Sequence, residues 1–181
     1  MQKDTNLFWN LIEENRAPLW RFALGLTRSR YDAKDLVSET VLAAYTNFPK
    51  LREIAGFRKY LYTIASRTHK RKAWRHRIFA SVETAAHLES QEMRESSHDL
   101  ELLMKALDLL PPKQKEAVLL FEISGLSLEE IREVQGGTLS GVKSRVKRGR
   151  EQLQRLLADR SEQVRLSSQY YEFVTPSMTL Y

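Results

Sequence analysis

Apolar residues recur along most of this chain at three- and four-residue intervals, the spacing of one helix face. Before residue 160 no segment alternates with the period of two that a half-buried strand needs. Leu7/Phe8, Leu11/Ile12, Leu19, Phe22/Ala23 and Leu26 form the first stripe. Pro18 inside it predicts a break or a kink that divides it into two helices, because proline lacks the N–H and crowds the preceding turn. Asp32 is placed to cap a following helix with Leu36, Val37, Val41, Ala44, Tyr45 and Phe48 on its apolar face, and Pro49 stops it. After a short connection from Lys50 to Gly56, Phe57, Tyr60/Leu61 and Ile64/Ala65 mark a further helix. Together these predict one helical bundle over about residues 5–78.

Residues 80–98, rich in Ser, Glu and His and lacking a sustained stripe, read as a flexible acidic linker. A second helical unit begins near Asp99 with Leu102/Leu103, Ala106/Leu107 and Leu110. Pro111 and Pro112 end that helix, and Pro112 suits the first turn of the next, which buries Val118, Leu119 and Phe121 and stops at Ser124-Gly125. Ser127-Leu128-Glu129-Glu130 has the capping-box spacing and opens a short helix through Val134. Gly136-Gly137 makes a tight turn, and Thr138 caps a last long helix with Leu139, Val142, Val146, Leu153 and Leu156 on its buried side. The expected fold class is therefore all-α: two small helical domains, an N-terminal bundle and a C-terminal helix-turn-helix, joined by the linker.

Composition narrows the function. The chain has 181 residues and no cysteine, which removes disulfides, thiolate nucleophiles, thiolate zinc sites and iron–sulfur clusters. The start is polar and no apolar run reaches membrane-span length, so a soluble, cytoplasmic protein without membrane insertion is expected. The net charge of +6 is unevenly spread. Residues 50–80 hold ten cations against Glu53 alone, and residues 138–160 hold seven against Glu151 and Asp159, with acidic sequence between the two blocks. Two separate polyanion-binding surfaces fit this pattern better than one diffuse field. A short helix, a glycine turn and a longer basic helix describe a helix-turn-helix, whose second helix needs small or polar residues at its N-terminus and cations flanking them. Ser140-Gly141 and Lys143-Ser144-Arg145 meet that need.

Three stretches carry a resemblance to a known family. Asp32-Ala33-Lys34-Asp35-Leu36-Val37-Ser38-Glu39-Thr40-Val41-Leu42-Ala43-Ala44-Tyr45 is similar to a D-A-x-D-L-V-Q-E-T-F-L-x-A-W helix. Phe57-Arg58-Lys59-Tyr60-Leu61-Tyr62-Thr63-Ile64-Ala65 is similar to F-x-x-W-L-Y-x-I-A. Leu110 to Glu116, Gly125 to Ile131 and Val142 to Val146 resemble the series L-P-x-x-x-R-E, G-L-S-Y-E-E-I and V-K-S-R-L. Their order and spacing over about residues 5–158 resemble a bacterial RNA polymerase sigma factor of the two-domain, extracytoplasmic-function type.

The resemblance implies a division of roles. Residues 1–79 would be a region 2-like domain, 80–98 the linker, 99–158 a region 4-like domain and 159–181 an extension of unassigned role. Asp35, Leu36, Glu39, Thr40 and Leu42 would dock on the clamp coiled coil of core RNA polymerase. Leu51 to Gly56 would hold a flipped base of the minus-ten element, with Arg58, Lys59, Arg67, Lys70, Arg71 and Arg75 on the phosphates. Ser140, Lys143, Ser144, Arg145, Lys147 and Arg148 would serve the minus-thirty-five element, Lys143 and Ser144 at base edges and Arg145 and Arg148 at phosphates. The linker would pass through the polymerase interior near the RNA exit path. Promoter DNA, core polymerase and a sequestering anti-sigma factor are the implied partners, with no catalytic residue, metal or cofactor.

Four positions depart from the family pattern. Arg67 stands where Asn is frequent, leaving the minus-ten preference open. Arg132 and Gly137 replace small apolar residues and are expected to loosen the helix-turn-helix, and Gly149 in place of Ala is expected to cost about 1 kcal/mol. Two other function classes remain in view. One is a stand-alone helix-turn-helix regulator, which has no need of the acidic helix. The other is an enzyme on nucleic acid, for which the sequence offers no nucleophile–base pair, histidine–carboxylate ligand pattern or phosphate-cradling glycine loop. The tail, with Tyr170-Tyr171-Glu172-Phe173-Val174, either packs on the second domain, binds a partner or frays.

Overall fold

The computed structural model describes residues 2–51, 53–79 and 98–158, and the chain divides into two compact units about Glu92 and Met93. The expected linker, apart from its last residue, and the expected extension lie outside the described residues, as does Arg52. The first unit contains α1 (Gln2–Thr27), α2 (Arg30–Asn47) and α3 (Phe57–Phe79), with two short 3₁₀ turns, Phe48–Lys50 and Ile54–Gly56, between α2 and α3. The second contains α4 (His98–Asp108), α5 (Pro112–Glu122), α6 (Leu128–Gln135) and α7 (Leu139–Ala158).

Pro18 does not divide the first helix, which runs through it. The buried positions Phe8, Ile12, Leu19, Phe22, Ala23 and Leu26 stay in one helical phase across the proline. A break would misalign that stripe, and burial worth about 1.5–3 kcal/mol per large side chain outweighs the roughly 3 kcal/mol proline penalty. Glu14, whose carbonyl loses its helical donor, lies on the exposed side. The α1–α2 junction also differs from expectation. Ser29, not Asp32, is the N-cap, its side chain accepting from the Asp32 N–H at 3.2 Å, while Asp32 adds negative charge to the first turn.

α2 turns a face of small residues inward: Ala33, Leu36, Thr40 and Ala44 are buried, while Val37 and Val41 are half-buried and Tyr45 is exposed. Small side chains let α2 lie close against α1 and α3, and the bulkier valines flank the contact. Phe8 sits at the centre of an aromatic cluster, edge-on to Trp9, Tyr45, Phe48 and Phe57 with centroids 5.1 to 5.9 Å away. On α3 the inward residues are Phe57, Leu61, Tyr62 and Ala65, whereas Tyr60 and Ile64 are only half-buried. Tyr62 is edge-on to Phe22 at 5.1 Å.

In the second unit Pro112 opens α5 as expected. The capping box of α6 is formed, Ser127 Oγ accepting from the Glu130 N–H and Glu130 accepting from the Ser127 N–H at 2.8 Å. α5 buries Leu120 in place of Phe121, which stays half-buried beneath the Arg150 guanidinium, 5.7 Å from its centroid. Lys115 and Asp108, both largely buried, pair at 2.7 Å and tie α5 to the end of α4.

The second unit accommodates its departures from the family pattern. Gly136 and Gly137 have φ of 75° and 94°, a region that a side chain enters only under strain, so the turn calls for glycine at both positions. Arg132 folds onto the surface and pairs with Glu129 at 2.9 Å. Gly149 is buried against α5: a Cβ there would stand 2.5 Å from Val118 Cγ2 and 3.4 Å from the Gln114 carbonyl oxygen. The glycine permits close α5–α7 packing, which offsets its lower helix propensity.

Candidate nucleic-acid interface

The acidic residues of α2 lie on its solvent side, four positions apart and therefore on one face. Asp35 and Leu42 are exposed, Leu42 at 67%, and Glu39 is half-exposed. Leu36 and Thr40 point the other way, at 2% and 0% exposure, and the Thr40 hydroxyl donates to the Leu36 carbonyl at 2.7 Å. Of the five residues assigned to polymerase docking, three form a surface and two support it from the bundle core.

The face is not electrostatically bare. Lys72 of α3 places its ammonium between the two carboxylates, pairing with Asp35 and reaching Glu39 at 2.8 Å. Arg71 approaches Glu39 at 3.5 Å. Burial works against the Lys72 charge, but the hydrogen bonds to Asp35 and Glu39 and their negative charges outweigh it and hold the amine above the usual lysine range. An open cleft of about 570 Å³ runs beside this network, lined by Asp35, Glu39, His69, Lys72 and Arg75. Nothing in the sequence singles out Lys72 among the ten cations of residues 50–80, because a pairing across 37 residues has no local signal.

α3 presents Arg58, Arg67, Lys70, Arg71 and Arg75 as exposed side chains and Lys59 as half-exposed. Arg67, Arg71 and Trp74 recur at helical spacing, which puts the indole, 61% exposed, on the same side as the two guanidinium groups. A cation flanked by an exposed aromatic suits a single-stranded backbone with unstacked bases. Arg67 and Arg71 also border a groove shared with Leu42, Ala43 and Ile64, so the basic helix and the acidic face meet along the α2–α3 seam. Tyr62 is core. Tyr60 is half-buried, its hydroxyl lacks a hydrogen-bond partner among the described residues, and burial raises its pKa. Ile54, half-exposed, stands in the connection before α3.

In the second unit Ser140, Lys143, Lys147 and Arg148 are exposed on α7 and Ser144 is half-exposed, opposite the buried Val142, Val146, Gly149 and Leu153. Thr138 caps the helix, its Oγ1 accepting from the Gly141 N–H at 3.1 Å. Arg145, assigned to a phosphate, donates from Nη2 to the Gly136 carbonyl at 3.1 Å in the free chain. Gln135 Nε2 holds the other side of the turn, donating to the Lys113 carbonyl at 3.1 Å and to Glu116 at 2.8 Å. A capped helix with cations and a serine at its exposed N-terminal turns fits insertion into a major groove. Among the described residues no helix is long and apolar enough to cross a membrane, and no three His, Asp or Glu side chains converge as metal ligands.

Each unit matches a known family model. Residues 11–77 match Sigma-70 region 2 and residues 100–153 match Sigma-70, region 4. The ECF RNA polymerase sigma factor SigE of Mycolicibacterium smegmatis is 31% identical over 166 residues, 87% of this chain and 64% of that protein. This chain therefore spans slightly less than two thirds of that relative. The ECF RNA polymerase sigma factor EcfG of Rhodopseudomonas palustris is 34% identical over 139 residues, 75% of this chain and 77% of that protein. Among solved structures, the sigma factor RpoE of Bartonella quintana, crystallised with the anti-sigma factor NepR, aligns with a TM-score of 0.66 at 28% identity, over 82% of this chain and 97% of that one. CnrH, solved with the cytosolic domain of CnrY, shares the fold at 24% identity and a TM-score of 0.63.

Proposed function

Because the chain belongs to the ECF group of RNA polymerase sigma factors, we propose that it binds core RNA polymerase and directs promoter-specific transcription initiation. Its role is binding rather than catalysis, and it works in the cytoplasm beside the polymerase. Residues 1–79 dock on polymerase through Asp35, Glu39 and Leu42 and engage the minus-ten element through α3, with Arg58, Lys59, Arg67, Lys70, Arg71 and Arg75 along the DNA backbone. Residues 99–158 read the minus-thirty-five element through Ser140, Lys143, Ser144, Lys147 and Arg148. A protein of the anti-sigma kind, like the NepR bound to the Bartonella relative, sequesters the free chain.

The observation that carries this reading is the exposed Asp35–Glu39–Leu42 face on α2. DNA recognition by the second unit alone has no use for it, whereas a polymerase-docking subunit requires such a surface. Charged complementarity around an exposed leucine gives such a face both register and affinity.

The test is reconstitution: purified chain with core polymerase, transcript starts mapped on fragments of the source genome. Discrete starts sharing two spaced upstream motifs are the expected result. Failure to bind core polymerase would overturn the reading and leave a stand-alone DNA-binding regulator.

A further inference from the structure

Arg145 lies in the family's basic V-K-S-R segment, yet its guanidinium folds back onto the turn before α7. Nη2 donates to the Gly136 carbonyl at 3.1 Å, Nε is buried, and a Cβ on Gly137 would sit 3.8 Å from Nη2. The side chain reaches back from the second turn of α7 over the first, as long helical side chains do.

The turn it meets is held from three helices. Gln135 fastens it to α5 through the Lys113 carbonyl and Glu116, and the Gly136 N–H donates to the Arg132 carbonyl of α6 at 2.8 Å. Arg145 supplies the contact from α7. Between these anchors the backbone passes through two positive-φ glycines, φ 75° and 94°, before Thr138 caps α7. Two adjacent glycines leave the backbone more freedom than any other residue pair, so the α6–α7 angle depends on what fastens the turn.

We propose that Arg145 is a positioning residue: it locks the Gly136-Gly137 turn and so sets the pose of Ser140 and Lys143 toward base edges, and it makes no phosphate contact of its own. The proposal rests on the sigma-factor reading for its DNA readout. A guanidinium committed to a neutral carbonyl near the turn contributes geometry, whereas Arg148, exposed on the same helix, contributes charge to the DNA backbone.

Two measurements separate these roles. In the free chain, Arg145→Met should speed hydrogen exchange severalfold at the Gly141 and Val142 amides, which bond to the Thr138 hydroxyl and carbonyl. Unchanged exchange there overturns the lock, whatever the chain does with polymerase. In holoenzyme, promoter affinity is measured against salt on the mapped promoter and on a copy with a scrambled upstream element. Arg145→Met should lower the preference for the intact element about tenfold and leave the slope of log K against log salt unchanged. Arg148→Met should weaken both DNAs alike and lower the slope by about 0.9, the loss of one phosphate contact. A slope lowered by that amount in Arg145→Met, with preference intact, overturns the proposal. Should Arg145→Met fail to fold, Gly137→Ala, which strains the same turn and keeps the guanidinium, must show the loss of preference at constant slope, and retained preference overturns the proposal. Absence of any mapped start with wild-type chain would overturn the sigma reading alone, since the exchange measurement still decides the lock.

Discussion

Gly149 carries more of the second unit's packing than its missing side chain suggests. With Val118 Cγ2 only 2.5 Å from where a Cβ would stand, and valine too stiff to swing aside, Gly149→Ala forces α5 and α7 apart. The gain of about 1 kcal/mol in helix propensity is outweighed by overpacking of roughly 1–3 kcal/mol. Thermal denaturation of the variant should therefore show the second unit less stable, against the trend of glycine-to-alanine changes in exposed helices. Residue-level detail of this kind is poorly legible in sequence: pattern alone reads Gly149 as a defect, because the interhelical distance that rewards it is a tertiary quantity. The same holds for Leu36 and Thr40, which a motif places on a docking surface and the packing places in the core. Thr40→Val removes a hydroxyl bonded within its own helix, and Leu36 retains its backbone N–H donor. It should leave polymerase binding within about twofold. Leu42→Ala should weaken binding by about 1–2 kcal/mol, five- to thirtyfold. Equal losses from the two variants in a titration with core polymerase would put Thr40 on the surface after all.

Helices α2 and α3 are joined by apolar packing and, at their solvent edge, by the Lys72 bridge. Since Asp35 is about half-exposed, the bridge is worth at most about 1 kcal/mol. Its pH dependence has a definite sign. The folded state raises the Lys72 pKa, so the stabilisation is complete below the ordinary lysine range, near 10.4, and is lost as pH rises through the folded value. The difference in melting temperature between wild type and Lys72→Met should hold steady from pH 7 to 9 and shrink above about 10.5. A difference that also collapsed between pH 7 and 9 would show that the ammonium is not the source of the stabilisation. Most elements could be read from the sequence to within a residue or two, because capping box, Pro-Pro and Gly-Gly signals act over three or four residues. The continuity of α1 is not legible for a different reason: proline propensity is local, and the stripe that overrides it spans Phe8 to Leu26.

Each unit brings its own core and its own basic surface, α3 in one and α7 in the other. Substitutions in separate units that contact separate promoter elements should combine independently. Arg67→Ala and Lys143→Ala are each expected to weaken promoter binding by holoenzyme, and the double variant should equal the product of the two factors within about twofold. A larger departure would mean that the two DNA contacts are energetically coupled. This two-surface organisation was plain in the charge distribution, since segregated cations survive any folding of the chain. The compensation within the first surface was not, because it depends on which opposite charges the bundle brings together. That compensation also sets how the α2 face is felt at a distance. Asp35 and Glu39 meet Lys72 and Arg71 before any partner arrives, so beyond the screening length of about 8 Å at physiological salt the face shows little net charge. The paired carboxylates therefore add little to long-range steering, and the field a partner feels on approach is set by the exposed cations of α3. Recognition there begins at contact, when an incoming side chain finds carboxylates that already have company.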